Sequence, residues 1–221
     1  MSGWPDPVPR LHVLVSEREV ASAVALATVR TLLRDSRSIA IHLRARVPTR
    51  ELYGLARELA GLAEAGSWCV VNERPDVALA ASAQAVQLGH AALGVAVVRR
   101  LAPCGGDLRI GASVHRPDEA LEAVTDGADY LVVGTVFDTP AHPGAAAGPA
   151  LIRTVSEALA GRGSGRPILA IGGVTADRVA ELARAGAHGV VVGRAVWGST
   201  RPVRSARELV EAWAEQGEGD E

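Results

Sequence analysis

Polar and ionisable side chains recur along this chain just after short apolar runs, and their types suit proton transfer and anion binding. In order they are Ser16, then His42 with Arg44, then Asn72 with Glu73 and Arg74, then Gln87 with His90. Ser113 with His115 follows, then Thr135, Asp138, Thr139 and His142. Imidazole exchanges a proton near neutral pH, and a carboxylate such as Glu73 does so when its surroundings raise its proton affinity. A guanidinium beside them offers a planar cation for a carboxylate or phosphate. A single histidine is more often structural than catalytic. Four of the six, His42, His90, His115 and His142, hold these corresponding positions, whereas His12 and His188 stand at the starts of apolar runs.

Glycine marks a second kind of site. Ala170-Ile171-Gly172-Gly173-Val174 and Val192-Gly193-Arg194-Ala195 each end an apolar run. Without a Cβ, the backbone N–H groups can come close to phosphate oxygens, and a following helix start adds positive potential. The plainer explanation is that these glycines only permit tight turns.

The elements that must position these residues alternate eight times. Runs rich in Val, Ile and Leu predict strands at Leu11–Ser16, Ser38–Arg44, Trp68–Asn72, Ala85–Leu88, Leu108–Ser113, Tyr130–Gly134, Pro167–Gly172 and Gly189–Gly193. Amphipathic stretches predict helices near 18–33, 49–65, 75–82, 92–101, 117–126, 149–160, 176–185 and 203–214. Pro117-Asp118-Glu119 suits a first helical turn, and Gly66, Gly127 and Gly186 suit helix ends. An open doubly wound sheet would want a glycine-rich turn after its first strand. Here that stretch reads Glu17-Arg18-Glu19-Val20. The expectation is therefore α/β, a single (β/α)8 TIM barrel over residues 11–215, with an extended arm at 1–10 and an acidic tail at 216–221. In such a barrel the polar positions above converge at the carboxyl-terminal mouth. His12 and His188 are expected at the opposite, stabilising end. His42 and Arg44 alternate with Leu43, so they share one side of their strand.

Composition agrees. A chain of 221 residues, 48% hydrophobic but only 3% aromatic, must build its core from aliphatic side chains. A formal charge of −2 provides no basic surplus for non-specific nucleic-acid binding. No apolar run approaches the roughly 18 residues that span a bilayer, and the first residues do not resemble a signal peptide, so no membrane partner and a cytoplasmic location are expected. Cys69 sits in an apolar run and reads as a reduced core thiol; the spacing to Cys104 matches no metal-ligand pattern. The expected partner is a small phosphorylated ligand, and a homo-oligomer is left open.

Several stretches together resemble the thiamine phosphate synthase and TenI superfamily. They are His42-Leu43-Arg44, Asn72-Glu73-Arg74-Pro75-Asp76, Val86-Gln87-Leu88-Gly89 and Gly111-Ala112-Ser113-Val114-His115. To these are added Gly127-Ala128-Asp129-Tyr130, Gly134-Thr135-Val136-Phe137-Asp138-Thr139-Pro140, Ile171-Gly172-Gly173-Val174 and Gly186-Ala187-His188-Gly189. The resemblance implies a β/α barrel acting on thiazole or thiamine phosphates.

Two branches differ in what they imply. The synthase branch joins hydroxymethylpyrimidine diphosphate to thiazole phosphate with magnesium. Its Gln-x-Arg-x-Lys stands here as His42, Arg44 and Arg46, and its Asn-Asp-Arg as Asn72, Glu73 and Arg74. Its further aspartate falls in Leu88-Gly89-His90-Ala91-Ala92, which has none, and its Thr-Pro-x-Lys reads Thr139-Pro140-Ala141-His142. The tautomerase branch has His-x-Arg, as at His42 and Arg44, and aromatises a carboxythiazole phosphate without a metal. Resemblance to that branch implies an isomerase, a thiazole tautomerase with no cofactor and no metal site. His42, Glu73, His115, Thr135 and His142 form its catalytic set, with Thr135 standing where that branch has histidine. Arg44, Asn72, Ser113, Thr139, Gly172, Gly173, Gly193 and Arg194 would bind substrate. The alternatives are a divergent synthase, with magnesium, and a non-catalytic binder of thiazole or thiamine phosphates.

Overall fold

The aliphatic runs form eight strands in a computed structural model that describes residues 8–35, 38–64, 66–102, 108–141 and 143–217. They are β1 (Leu11–Val15), β2 (Ile39–Leu43), β3 (Trp68–Asn72), β4 (Ala85–Leu88), β5 (Arg109–Val114), β6 (Tyr130–Gly134), β7 (Ile168–Ile171) and β8 (Gly189–Val192). All neighbours pair in parallel, and β8 pairs back onto β1 through Leu11↔Val190, so the sheet is a closed barrel. The expected (β/α)8 architecture is present.

Helices join the strands, with two departures from expectation. The stretch near 18–33 breaks into Glu17–Val20 and Ala23–Asp35. At the break the Ser22 hydroxyl accepts the Ala25 amide at 3.2 Å, an alternative partner that starts a new helix. A further short helix, Arg194–Trp197, follows β8, and the final helix spans Pro202–Gly217. Among the described residues no helix is long and apolar enough to cross a membrane.

Alternation along each strand separates two cores. Outward residues such as Val13, Ile41, Val71 and Leu131 are buried beneath the helices. Each such side chain contributes about 1.5–3 kcal/mol of burial free energy. Cys69 belongs to this layer; burial pushes its thiol up to about 12, which keeps it protonated and unreactive. Cys104 lies outside the described residues.

Inward residues form a separate cluster that includes Ala40, Trp68, Val70, Tyr130, Val132, Leu169 and Val191. The polar side chains of His12, His42, Gln87 and Arg109 are buried with them. Gly111 makes room inside the barrel, because a Cβ there would lie 2.3 Å from both Gln87 Oε1 and the Tyr130 ring. At the amino-terminal end, His188 Nε2 donates to the Val8 carbonyl at 2.8 Å, and Arg10 donates to the His188 carbonyl at 3.2 Å.

Candidate functional site

The carboxyl ends of the strands surround the mouth. Asn72 ends β3 and aligns in register with Gln87 of β4. Gln87 Nε2 donates to Ser113 Oγ at 3.0 Å, linking β4 to β5. Asn72 Oδ1 and Gln87 Oε1 are buried and have no hydrogen-bond partner. Leaving a buried polar atom unsatisfied costs about 1–3 kcal/mol, so these two oxygens are polar points left open inside the barrel.

Glu73 follows with φ of +62°, a left-handed backbone that costs a non-glycine residue about 1–2 kcal/mol. Its amide donates to the Gln87 carbonyl at 2.9 Å, holding this conformation. The side chain is exposed and leans over Gly89, where a Cβ would come within 3.2 Å of Glu73 Oε1. Arg74 turns away from the mouth to pair with Asp76 at 2.7 Å in the first turn of the next helix.

Magnesium takes one or two carboxylates and completes its octahedron with substrate phosphates and water. Among the described residues no group of three metal-ligating side chains is present. Glu73 supplies one exposed carboxylate, and the stretch Leu88-Gly89-His90-Ala91-Ala92 supplies none. That donor set fits an ion brought in and shared with a diphosphate, not one held by protein alone.

His115, beyond β5, is exposed; its Nδ1 donates to the Gly134 carbonyl, leaving Nε2 with a lone pair in the neutral ring. Its amide donates to Glu119 at 2.7 Å, and its ring stacks on that of His90 with centroids 4.9 Å apart. His90 Nε2 lies 4.0 Å from the Glu119 carboxylate.

The glycine loops carry marked backbone constraints. Gly172 has φ of +105°, and a Cβ there would sit 2.4 Å from Thr135 Cγ2. Gly173 has φ of +61°, and a Cβ would lie 2.8 Å from the Asp138 carbonyl oxygen. Val136 and Phe137 amides donate to Ile171 and Gly172 carbonyls at 2.8 and 3.0 Å, binding the β6 loop to the β7 loop. Arg178 closes the turn by donating to the Gly173 carbonyl at 2.8 Å with its guanidinium 4.1 Å over the Phe137 ring. Gly193 precedes the short helix whose first residue, Arg194, is exposed. Thr135 and Thr139 are half-buried along the same rim. His142 lies outside the described residues.

One histidine expectation needs correction. His42 is sealed inside the barrel, 1% exposed, because β2 continues through Leu43 and directs the ring inward below the mouth. Only Arg44, two residues further, emerges, and it is exposed. His12 stands near the start of β1, at the stabilising end as expected; its ring points into the barrel, fully buried, with Nδ1 2.7 Å from His42 Nε2. Burial pushes His42 down to about 3, with the Asn72 side chain opposing the shift, and lowers His12 well below its ordinary value. Both rings are neutral at pH 7, and neither touches solvent. His12 was legible in principle, since it and His42 occupy inward positions on adjacent strands. Gln87, expected at a strand end, lies in register with Asn72.

The family described as thiamine monophosphate synthase matches residues 11–196 of this chain. A thiamine-phosphate synthase from Roseiflexus castenholzii is 36% identical over 219 residues, covering 96% of this chain and 93% of the relative. A thiamine-phosphate synthase from Pyrococcus horikoshii is 38% identical over 186 residues, 83% of this chain and 85% of its own length. Among solved structures, a thiamine phosphate pyrophosphorylase from Pyrococcus furiosus matches with a TM-score of 0.78 and 34% identity, covering 93% of this chain and 96% of that one.

These relatives overturn the expected thiazole tautomerase and its isomerase class. Curated relatives at 36–41% identity bear the name of the transferase. The burial of His42 agrees, since a ring sealed inside the barrel cannot exchange a proton with a ligand at the mouth.

Proposed function

Because the chain belongs to the thiamine monophosphate synthase family, we propose that it joins hydroxymethylpyrimidine diphosphate to a thiazole phosphate. The thiazole nitrogen lone pair forms a C–N bond to the pyrimidine methylene carbon. The C–O bond to the diphosphate breaks, and pyrophosphate leaves with the electron pair, giving thiamine phosphate. No proton has to be abstracted, so a mouth without a buried catalytic base is adequate. The observation that carries this reading is 36% identity to a named synthase across 96% of the chain.

The residues divide by charge. Arg44 and Glu73, on neighbouring strand ends, serve the diphosphate half. A magnesium ion would be held there by Glu73 and the diphosphate oxygens, and when bound it neutralises charge on the leaving group. The Gly172–Gly173 turn, Gly193, Arg194 and Thr139 serve the phosphate of the thiazole, where glycine lets backbone N–H groups approach oxygens. Ser113, held by Gln87, and Asn72 form the floor between the two halves. The His90–His115 stack supports the β4 and β5 loops from the side and keeps His115 against Gly134.

The test is direct. The purified chain is incubated with both precursors and magnesium, and pyrophosphate is measured with thiamine phosphate. One pyrophosphate per thiamine phosphate is expected; release no faster than without protein would reject the reading.

A further inference from the structure

The pole of the barrel opposite the mouth holds a cavity of about 460 Å³. It lies where the helix Pro149–Ala160 turns back toward β7, and its walls include Arg10, Ser156, Ser164, Arg166 and His188. The closing strand sets this arrangement. β8 lies between β1 and β7, and Arg10 and Arg166 stand just before those two flanking strands. His188 stands just before β8 itself, so the two arginines straddle it. Gly186, with φ of +97°, passes so close to the helix that a Cβ would lie 2.6 Å from Ser156 Oγ. That hydroxyl therefore packs on the turn into β8, and both residues line the cavity.

The lining is one-sided in charge, with two arginines and no carboxylate. Arg10 donates to the His188 carbonyl at 3.2 Å and its guanidinium lies 5.7 Å over the Trp213 ring, which fixes one cation in place. Arg166 is half-buried, yet its guanidinium makes no hydrogen bond or ion pair among the described residues. The half-buried Ser156 and Ser164 hydroxyls are likewise unpartnered there. Two like charges at one cavity raise each other's energy, and a dianion between them reverses that cost. Guanidinium and hydroxyl donors match the oxygens of a phosphate, and the volume suits a small metabolite. We propose that this cavity is a second anion site, which takes the phosphate group of a small phosphate monoester and sets its organic part against Ala160 and Pro167. The site is separate from the mouth, because Arg10 and Arg166 precede their strands whereas Arg44 and the Gly172–Gly173 turn follow theirs. It does not depend on the synthase reading.

Histidine NMR tests the site with a local reporter at each pole, His188 beside the cavity and His115 at the mouth. The full chain, labelled with 13C-histidine, is titrated with phenyl phosphate at physiological ionic strength. The His188 ring signals should shift and saturate, and inorganic phosphate should act in the same way but about threefold more weakly. Arg166→Gln keeps a polar side chain and removes the charge; it should weaken the His188 response at least tenfold. The His115 signals of that variant should match those of the unaltered protein, which shows that it is folded. Ser164→Ala, a milder change in the same loop, should weaken the His188 response about threefold and gives a second comparison if Arg166→Gln does not fold. No saturable response at His188, or one that is the same in the folded variants, would overturn the site. Inorganic phosphate binding as tightly as phenyl phosphate would overturn the monoester assignment.

Discussion

Arg99 and Asp129 meet at 2.6 Å where the helix Val95–Leu101 reaches the start of β6. The same carboxylate accepts the Ile110 amide at 2.8 Å, and Arg99 also donates to the Gly127 carbonyl at 2.6 Å. One nearly buried acid therefore ties a helix, a left-handed glycine turn and two strands. Removing it takes this acceptor from the Ile110 amide and leaves the half-buried Arg99 guanidinium with the Gly127 carbonyl but no counter-charge. Asp129→Ala is expected to lower unfolding free energy by about 3 kcal/mol, read as a shift in urea midpoint at unchanged slope.

Acid should weaken the molecule through its interior histidines. The sign is set by depressed values: His42 falls from 6.5 to about 3, so the unfolded chain binds more protons than the folded one between those limits. Stability is full above about 6.5 and falls by about 1.4 kcal/mol per pH unit below it, levelling near 3. His12 shifts in the same direction, with burial as the main cause and His42 and His188 adding to it. Urea unfolding at pH 7 and pH 5 should differ by at least about 2 kcal/mol, and His42→Gln should reduce that difference.

The turn after β7 gives a substitution with a selective effect. Gly172→Ala would place a methyl group 2.4 Å from Thr135 Cγ2 on a backbone at φ +105°. The β6 and β7 loops must separate, and about 1–3 kcal/mol of stability is lost. KM for the thiazole phosphate should rise at least tenfold, with a much smaller effect on the pyrimidine diphosphate. Initial rates with one substrate saturating would separate the two.

The proposed magnesium site rests on the carboxylate of Glu73. Glu73→Gln keeps the shape of the side chain and removes its charge, so half-saturating magnesium should rise about tenfold. Chelation by EDTA should stop pyrophosphate release, and added magnesium should restore it. Release that persists in EDTA would argue for arginine-based charge neutralisation at this mouth.

Much of the scaffold could be read before any coordinates. Trp68–Asn72, Ala85–Leu88 and Tyr130–Gly134 form strands over the expected residues because apolar, β-branched runs bounded by polar or glycine residues leave little choice. Depth was not legible. His42-Leu43-Arg44 shows that two residues share a side, but not that one ring lies sealed under the mouth while the other side chain stands outside it. That difference depends on where β2 ends against β1 and β3, which is tertiary information. The tautomerase expectation has another source, the resemblance of His42-Leu43-Arg44 to the His-x-Arg of one branch, and the named synthase relatives overturn it. The capping role of Ser22 and the helix Arg194–Trp197 were missed because each spans too few residues to carry a periodic signal.

The seam between β1 and β8 has a consequence during synthesis. Leu11 leaves the ribosome long before Val190, its partner across that seam. Until the last strand arrives, β1 shows an unpaired row of amides and carbonyls that other nascent chains could zip onto, and water can reach His12. Shortening the chain before Gly189 would make that interval permanent, so such fragments should be captured by chaperones or precipitate instead of persisting as smaller barrels.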